Sequence, residues 1–330
     1  MTAPNSTSLY SRIQKHGTLT ESPTDVANAR FALPSTVHWM RALALLTDHL
    51  RLDFGAGRMF YRRVQPRSMP QPELNTVFEQ LLFVLNQIAA LHALTSATNK
   101  ADVARTGIVA WYYGIYSAAS AMTAAMDGSF QDNHAETARN WQERFPAKGL
   151  AMDPFADCLS NLLPSSVKAE LVPVRARGQH SLLNQPTTRT EAWGCCAEYL
   201  SGTARWEQWS VDERLRETPA FKELQVADFR TKAARQMRDA AYARRSIAFL
   251  HQASRYRGKA NYRDAIYLAY GSSVPTQLSG FVDDMLLVLK AFGAMAGAFC
   301  SLRVGKAIWA EFVDDLDRKK AISVSPRDVW

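Results

Sequence analysis

Apolar residues in this chain recur at intervals of three and four, and nowhere is there the sustained alternation of apolar and polar residues that a sheet needs. Trp39, Leu43, Leu46 and Leu50 give a first helix from Thr36 to about Leu52. Leu74, Val77, Leu81, Leu85, Ile88 and Leu91 give a second from Glu73 to Thr98, a stretch without proline or glycine. A third runs from Ala101 to Met126 and stops at Gly128, and shorter helices fit 133–145 and 154–163. In the second half the pattern predicts helices at 190–206, 219–252, 260–270 and 276–318. The chain therefore reads as an all-α, multi-helix bundle.

Glycine and proline divide this pattern. Asp53 to Pro72 holds Gly55, Gly57, Pro66, Pro70 and Pro72 and reads as a basic loop carrying Arg58, Arg62, Arg63 and Arg67. A second loop, Pro164 to about Arg189, is the best boundary between a helical region at 31–165 and another at 166–330, if the two are not one continuous domain. Residues 1–30 are rich in Ser and Thr, lack the apolar run of a secretory signal, and read as a mobile arm. Phe281–Leu302 is apolar, but Asp283, Asp284 and Lys290 interrupt it, so a buried core helix is expected and no membrane partner. Cys158, Cys195, Cys196 and Cys300 have neither disulfide-framework nor zinc spacing, which points to reduced cysteines in a cytoplasmic protein. Gly55-Ala56-Gly57 lacks the Lys and Ser/Thr of a phosphate loop, and no serine nucleophile elbow appears. No cofactor or metal is expected.

The most informative string is Ala104 to Met122, ARTGIVAWYYGIYSAASAM. Its small residues let helices approach, and core packing alone accounts for its aromatics; a small-molecule pocket lined by Trp111, Tyr112, Tyr113 and Tyr116 is another reading. The string also resembles the second-helix signature of the HEPN superfamily of helical nucleotide-binding domains. Arg105 precedes the pair Tyr112-Tyr113 and the small run Ser117-Ala118-Ala119, and Asn133-His134 opens the next helix where that group often has Thr-His. Ser117 stands where the group commonly has a histidine. The resemblance spans residues 101–145 and implies a HEPN-like core, RNA as partner, and a homodimer that builds its site across two copies.

HEPN ribonucleases carry Arg, four to six residues, then His. Arg175 and His180 fit that spacing in the second loop; Arg244 and His251 fit it inside the helix predicted at 219–252. On one helix the latter pair would share a face about 10 Å apart along the axis. Metal-independent RNA cleavage needs a group to exchange the 2′-hydroxyl and leaving-group protons and a cation to hold the phosphate, and His and Arg are sufficient in type. Arg244 and His251 are therefore the candidate catalytic pair.

Between Arg230 and Arg263 ten Lys or Arg face one acid, Asp239, so this stretch alone carries +9 against +8 for the whole chain. Arg235, Arg238, Tyr242 and Arg245 form a stripe, followed by Arg255, Arg257, Lys259 and Arg263 with Tyr256 and Tyr262 interleaved. Arginines reach phosphates and tyrosines stack on bases, so these are candidate RNA-binding residues. The resulting expectation is an RNA-directed, HEPN-like protein, a ribonuclease of the kind found in bacterial toxin and phage-defence systems. The competing expectation is a non-enzymatic helical subunit that docks an acidic protein.

Overall fold

The computed structural model describes residues 9–19, 32–181, 184–258, 268–270, 274–319 and 321–330. The fold is all-α. Its helices are α1 (Leu9–His16), α2 (Ala32–His49), α3 (Phe54–Phe60), α4 (Gln71–Leu94), α5 (Lys100–Asp127), α6 (His134–Arg144), α7 (Pro164–Arg175), α8 (Arg189–Arg216), α9 (Pro219–Lys222), α10 (Lys232–Ala243), α11 (Phe249–Gly258), α12 (Val274–Gln277), α13 (Phe281–Val304) and α14 (Lys306–Lys319).

Helix α13 is the axis of the bundle and packs against α2, α3, α4 and α5. Asp284, in its first turn, is buried and paired with Arg41 at 2.9 Å, which offsets part of the carboxylate's desolvation; burial still holds its pKa above the ordinary value. α4 and the Val274–Val304 stretch are long and apolar enough to cross a membrane by length and composition, and most of the latter is buried inside the bundle. The main core joins both halves of the chain: Trp39 of α2 stacks on Tyr199 of α8 at 4.1 Å and meets Trp111 of α5 and Tyr256 of α11 edge-on or tilted. A smaller cluster under α7 and α10 holds Leu159, Leu162, Leu171, Tyr242 and Ile247, and a third holds Phe221, Phe229 and Ala234.

Helix starts follow the caps in the sequence. Asn99 and Asn133 accept from Ala101 N and Glu136 N, and Thr188 and Glu191 form a reciprocal capping box at α8. Gly128 ends α5 in the left-handed conformation, φ 80°.

Several expected elements are corrected. The loop expected at 53–72 contains α3, because Asp53 caps it, accepting from Ala56 N at 2.7 Å, and glycine at 57 lets it lie on α13, where a Cβ would be 2.7 Å from Ala298 Cβ. The expected helix at 154–163 is irregular instead, with Leu159 paired to Ile247 in an isolated antiparallel bridge; the helix begins at Pro164, where the loop was expected. α8 continues through Trp206 and Trp209 to Arg216. The helix expected at 276–318 breaks at Gly305, φ 88°. Residues 259–267, most of the helix expected at 260–270, lie outside the described residues, as does most of the expected arm, in which α1 is helical.

Candidate functional site

The helix expected to carry both Arg244 and His251 is three pieces: α9, α10 and α11. Thr231 caps α10 by accepting from Ala234 N, and Tyr242 anchors it with a 2.8 Å bond to Asp212. The chain leaves the helix at Arg244 and is extended at Ile247, which exchanges hydrogen bonds with Leu159. It re-enters at α11, where Ala248 N donates to His251 Nδ1 at 3.1 Å. Arg244 and His251 thus do not share a helix face, and the geometric premise for pairing them is corrected. Burial, with the Arg245 charge second, pushes His251 down to about 4, so its imidazole is neutral at pH 7.

The arginines of the basic stretch divide by environment. Arg235, Arg244 and Arg245 are exposed. Arg238 pairs with Asp239 at 3.2 Å and lies over the Phe229 and Tyr242 rings. Tyr242 and Tyr256 are buried, and the Tyr256 hydroxyl donates to Thr36 O, so neither offers a face for base stacking. Arg255 lies over Tyr199 and donates to Thr203 Oγ1 at 3.1 Å. Lys259, Tyr262 and Arg263 lie outside the described residues.

Arg257 is placed differently. It lies over the Tyr112 ring at 4.7 Å, forms no ion pair among the described residues, and its buried Nε has no hydrogen-bond partner. The tyrosine string and the start of α6 meet at the same place. His134 sits 5.2 Å from Tyr112, 5.6 Å from Tyr113 and 4.4 Å from Tyr116, centroid to centroid. Tyr116 is held by a 3.0 Å bond to Gln131 O and accepts from Thr137 Oγ1, which locks the α5–α6 corner. His134 Nδ1 is buried without a hydrogen-bond partner. Burial, and then the Arg257 charge, lowers the His134 pKa, so it is neutral at pH 7. Burial holds Tyr112 up at about 12 against the Ser254 hydrogen bond and the Arg257 charge. Tyr113 is 40% exposed and can present a ring to solvent.

Three helices, α5, α6 and α11, therefore converge a cation, a neutral imidazole and an exposed tyrosine. Arg105 is exposed two turns before Tyr112. Tyr112, Tyr113, His134 and Arg257 were each legible as candidates in the sequence; their meeting was not, because nothing local links α11 to α6. Ser254 was missed, its signal being its place one turn before Arg257. The other Arg–His spacing separates: Arg175 pairs with Glu198, while His180 lies edge-on to buried His38 at 5.5 Å. Among the described residues no cluster of three or more His, Cys, Asp or Glu could hold a metal, and the four cysteines are free.

No protein-family model, curated protein or solved structure matches this chain.

Proposed function

We propose that this chain is an RNA-directed, HEPN-like protein that contacts RNA through Arg257, His134 and Tyr113. The carrying observation is that Arg257, which has no carboxylate partner among the described residues, lies over buried Tyr112 and acts on His134, whose ring is 5.6 Å from exposed Tyr113. A guanidinium placed so is suited to a phosphate, and the tyrosine to an unstacked base. In the enzymatic form of this reading, neutral His134 takes the 2′-hydroxyl proton as the 2′ oxygen attacks phosphorus. Arg257 holds the pentavalent phosphate, the 5′ oxygen leaves as it takes a proton from water, a 2′,3′-cyclic phosphate remains, and the proton on His134 returns to solvent. A homodimer would set two such sites side by side, as the family resemblance implies.

The test has two readouts. Anisotropy of a labelled single-stranded RNA across salt concentrations is expected to show Arg257→Ala weakening binding about tenfold or more and lowering the salt slope by about 1. Cleavage of total cellular RNA in EDTA is then compared among wild type, Arg257→Ala, His134→Ala, Arg244→Ala and His251→Ala. Loss in the first two variants alone supports the site at α5, α6 and α11; loss in the last two alone returns the chemistry to the spacing motif. Failure of the wild type to bind any RNA defeats the proposal. Tight, salt-sensitive capture of one acidic protein would then favour a docking subunit that uses Arg235, Arg244 and Arg245.

A further inference from the structure

The segment from Phe54 to Pro72 holds four arginines and no acidic residue. One of the four, Arg67, turns inward: it pairs with Glu73 at 2.5 Å and donates to Ala124 O at the end of α5. The other three do not. Arg62 donates only to Met59 O, Arg58 lies 6.0 Å from the Phe54 ring, and none of Arg58, Arg62 and Arg63 forms an ion pair among the described residues. All three are exposed, and between them Met59 is 63% and Phe60 41% exposed.

This patch is rigidly presented. Asp53 caps α3, Gly57 lies against Ala298 of α13, and the buried Tyr61 hydroxyl donates to Leu150 O at 2.7 Å. The backbone that carries Met59 and Phe60 is thus fixed from both ends, while the Met59 side chain is mostly in solvent and the Phe60 ring, edge-on to Tyr61 at 4.9 Å, is partly so. Two large apolar groups exposed side by side among three arginines without ion pairs, with Asp53 engaged as the helix cap, suit a partner that takes both.

We infer that this face docks on an anionic lipid surface. The arginines supply attraction to acidic headgroups, worth roughly a factor of five each in partitioning, and Met59 and Phe60 enter the boundary between headgroups and acyl chains. A lipid interface favours protruding apolar side chains because it needs no shaped counter-surface. An acidic protein would have to supply a matching hollow, and RNA would use the charge and Phe60 but has no site for Met59. This inference departs from the expectation of no membrane partner. It does not rest on the RNA reading, since its residues lie on α3 and the turn after it and include none of Arg257, His134 and Tyr113.

Co-sedimentation of the full chain with phosphatidylcholine vesicles, with and without phosphatidylserine, tests it. Wild type is expected to bind only the vesicles containing phosphatidylserine, and to leave them at high salt. Arg58→Gln/Arg62→Gln/Arg63→Gln should lower the partition about a hundredfold with unchanged thermal melting, and Met59→Ser/Phe60→Ser at least about tenfold, with the fold still cooperative by thermal melting although the Phe60 ring leaves Tyr61. Three results would overturn it: no binding to the anionic vesicles, binding indifferent to the arginines, or binding that survives Met59→Ser/Phe60→Ser, which marks a general polyanion site such as one for nucleic acid.

Discussion

Helices α13 and α10 show two ways of holding a helix in one fold. Of the 24 residues of α13, 18 are buried, on every side of the helix; of the 12 in α10, two are, Ala234 and Tyr242. α13 is held by apolar contact around its whole circumference. α10 is held by one stripe, a tyrosine hydroxyl on Asp212, and Arg238 lying across Phe229 and Tyr242. The difference teaches where a change will be felt: removing volume beside α13 leaves a void that rigid neighbours cannot close, whereas the outlying cluster can settle.

The sharpest way to break this comparison is to make one substitution in both places. Phe292→Ala removes a ring that meets Trp141, Phe155 and Phe249, and should cost about 3–5 kcal/mol by urea denaturation. Phe221→Ala, whose ring meets Phe229 at 4.9 Å, should cost about 1–2 kcal/mol and expose amides of 219–243 to hydrogen exchange while the main core stays protected. Equal costs would mean that the two regions are one cooperative unit.

Acid attacks both regions. His38, in the core seam of α2, and His251, at the join into α11, are each held down to about 4 against an ordinary 6.5, by burial first and then by His180 and Arg245 respectively. Between these values the unfolded chain binds a proton that the folded chain refuses. Stability is therefore full above about 6.5 and falls as pH drops towards 4, by at most about 3 kcal/mol for each histidine. Asn at 251 can still accept from Ala248 N, so His251→Asn should flatten the fall in urea midpoint across this window without unfolding the protein. An unchanged pH slope would remove His251 from this account.

These contrasts also explain what the sequence could disclose. α5 was legible to within one residue at each end because its caps and periodicity agree, at Asn99 and Gly128, whereas α4, which has no side-chain cap at Pro70, begins two residues before and ends four residues short of its expected bounds. The helix expected at 219–252 failed because its period continues through residues whose partners lie elsewhere: Ile247 is β-branched and extended because Leu159, far away in sequence, offers it a hydrogen-bonding edge. Glycine misled in the opposite direction. Gly55 and Gly57 read as loop residues, yet the helix keeps them because α13 passes too close for a side chain at 57. At the site, each side chain type could be read, but the approach of Arg257 to His134 depends on α11 packing against both α5 and α6.

Caps give a finer test. Thr188→Ala removes the hydroxyl that accepts from Glu191 N and leaves the first turn of α8 short of a partner, for about 1 kcal/mol. Because α8 starts in the main core and ends in the outlying one, the loss should appear as a shift of the whole unfolding transition, read by differential scanning calorimetry. A separate early transition would instead place the start of α8 outside the main cooperative unit.

The smallest effect separates the two ends of that same helix. Near its start, a Cβ on Gly194 would lie 2.3 Å from the carbonyl carbon of Gln179, so glycine there is enforced by backbone. Two turns later, a Cβ on Gly202 meets only Arg255 Nη1, at an ordinary 3.7 Å. Nothing in the packing opposes a methyl there, while glycine in a helix interior carries extra conformational freedom in the unfolded chain. Gly202→Ala should therefore raise stability by about 0.5–1 kcal/mol, seen as a higher urea midpoint at unchanged slope. A loss would show that Arg255, lying over Tyr199 and bonded to Thr203, has no room to yield. In that case the loosely packed region would begin beyond Thr203 rather than before it.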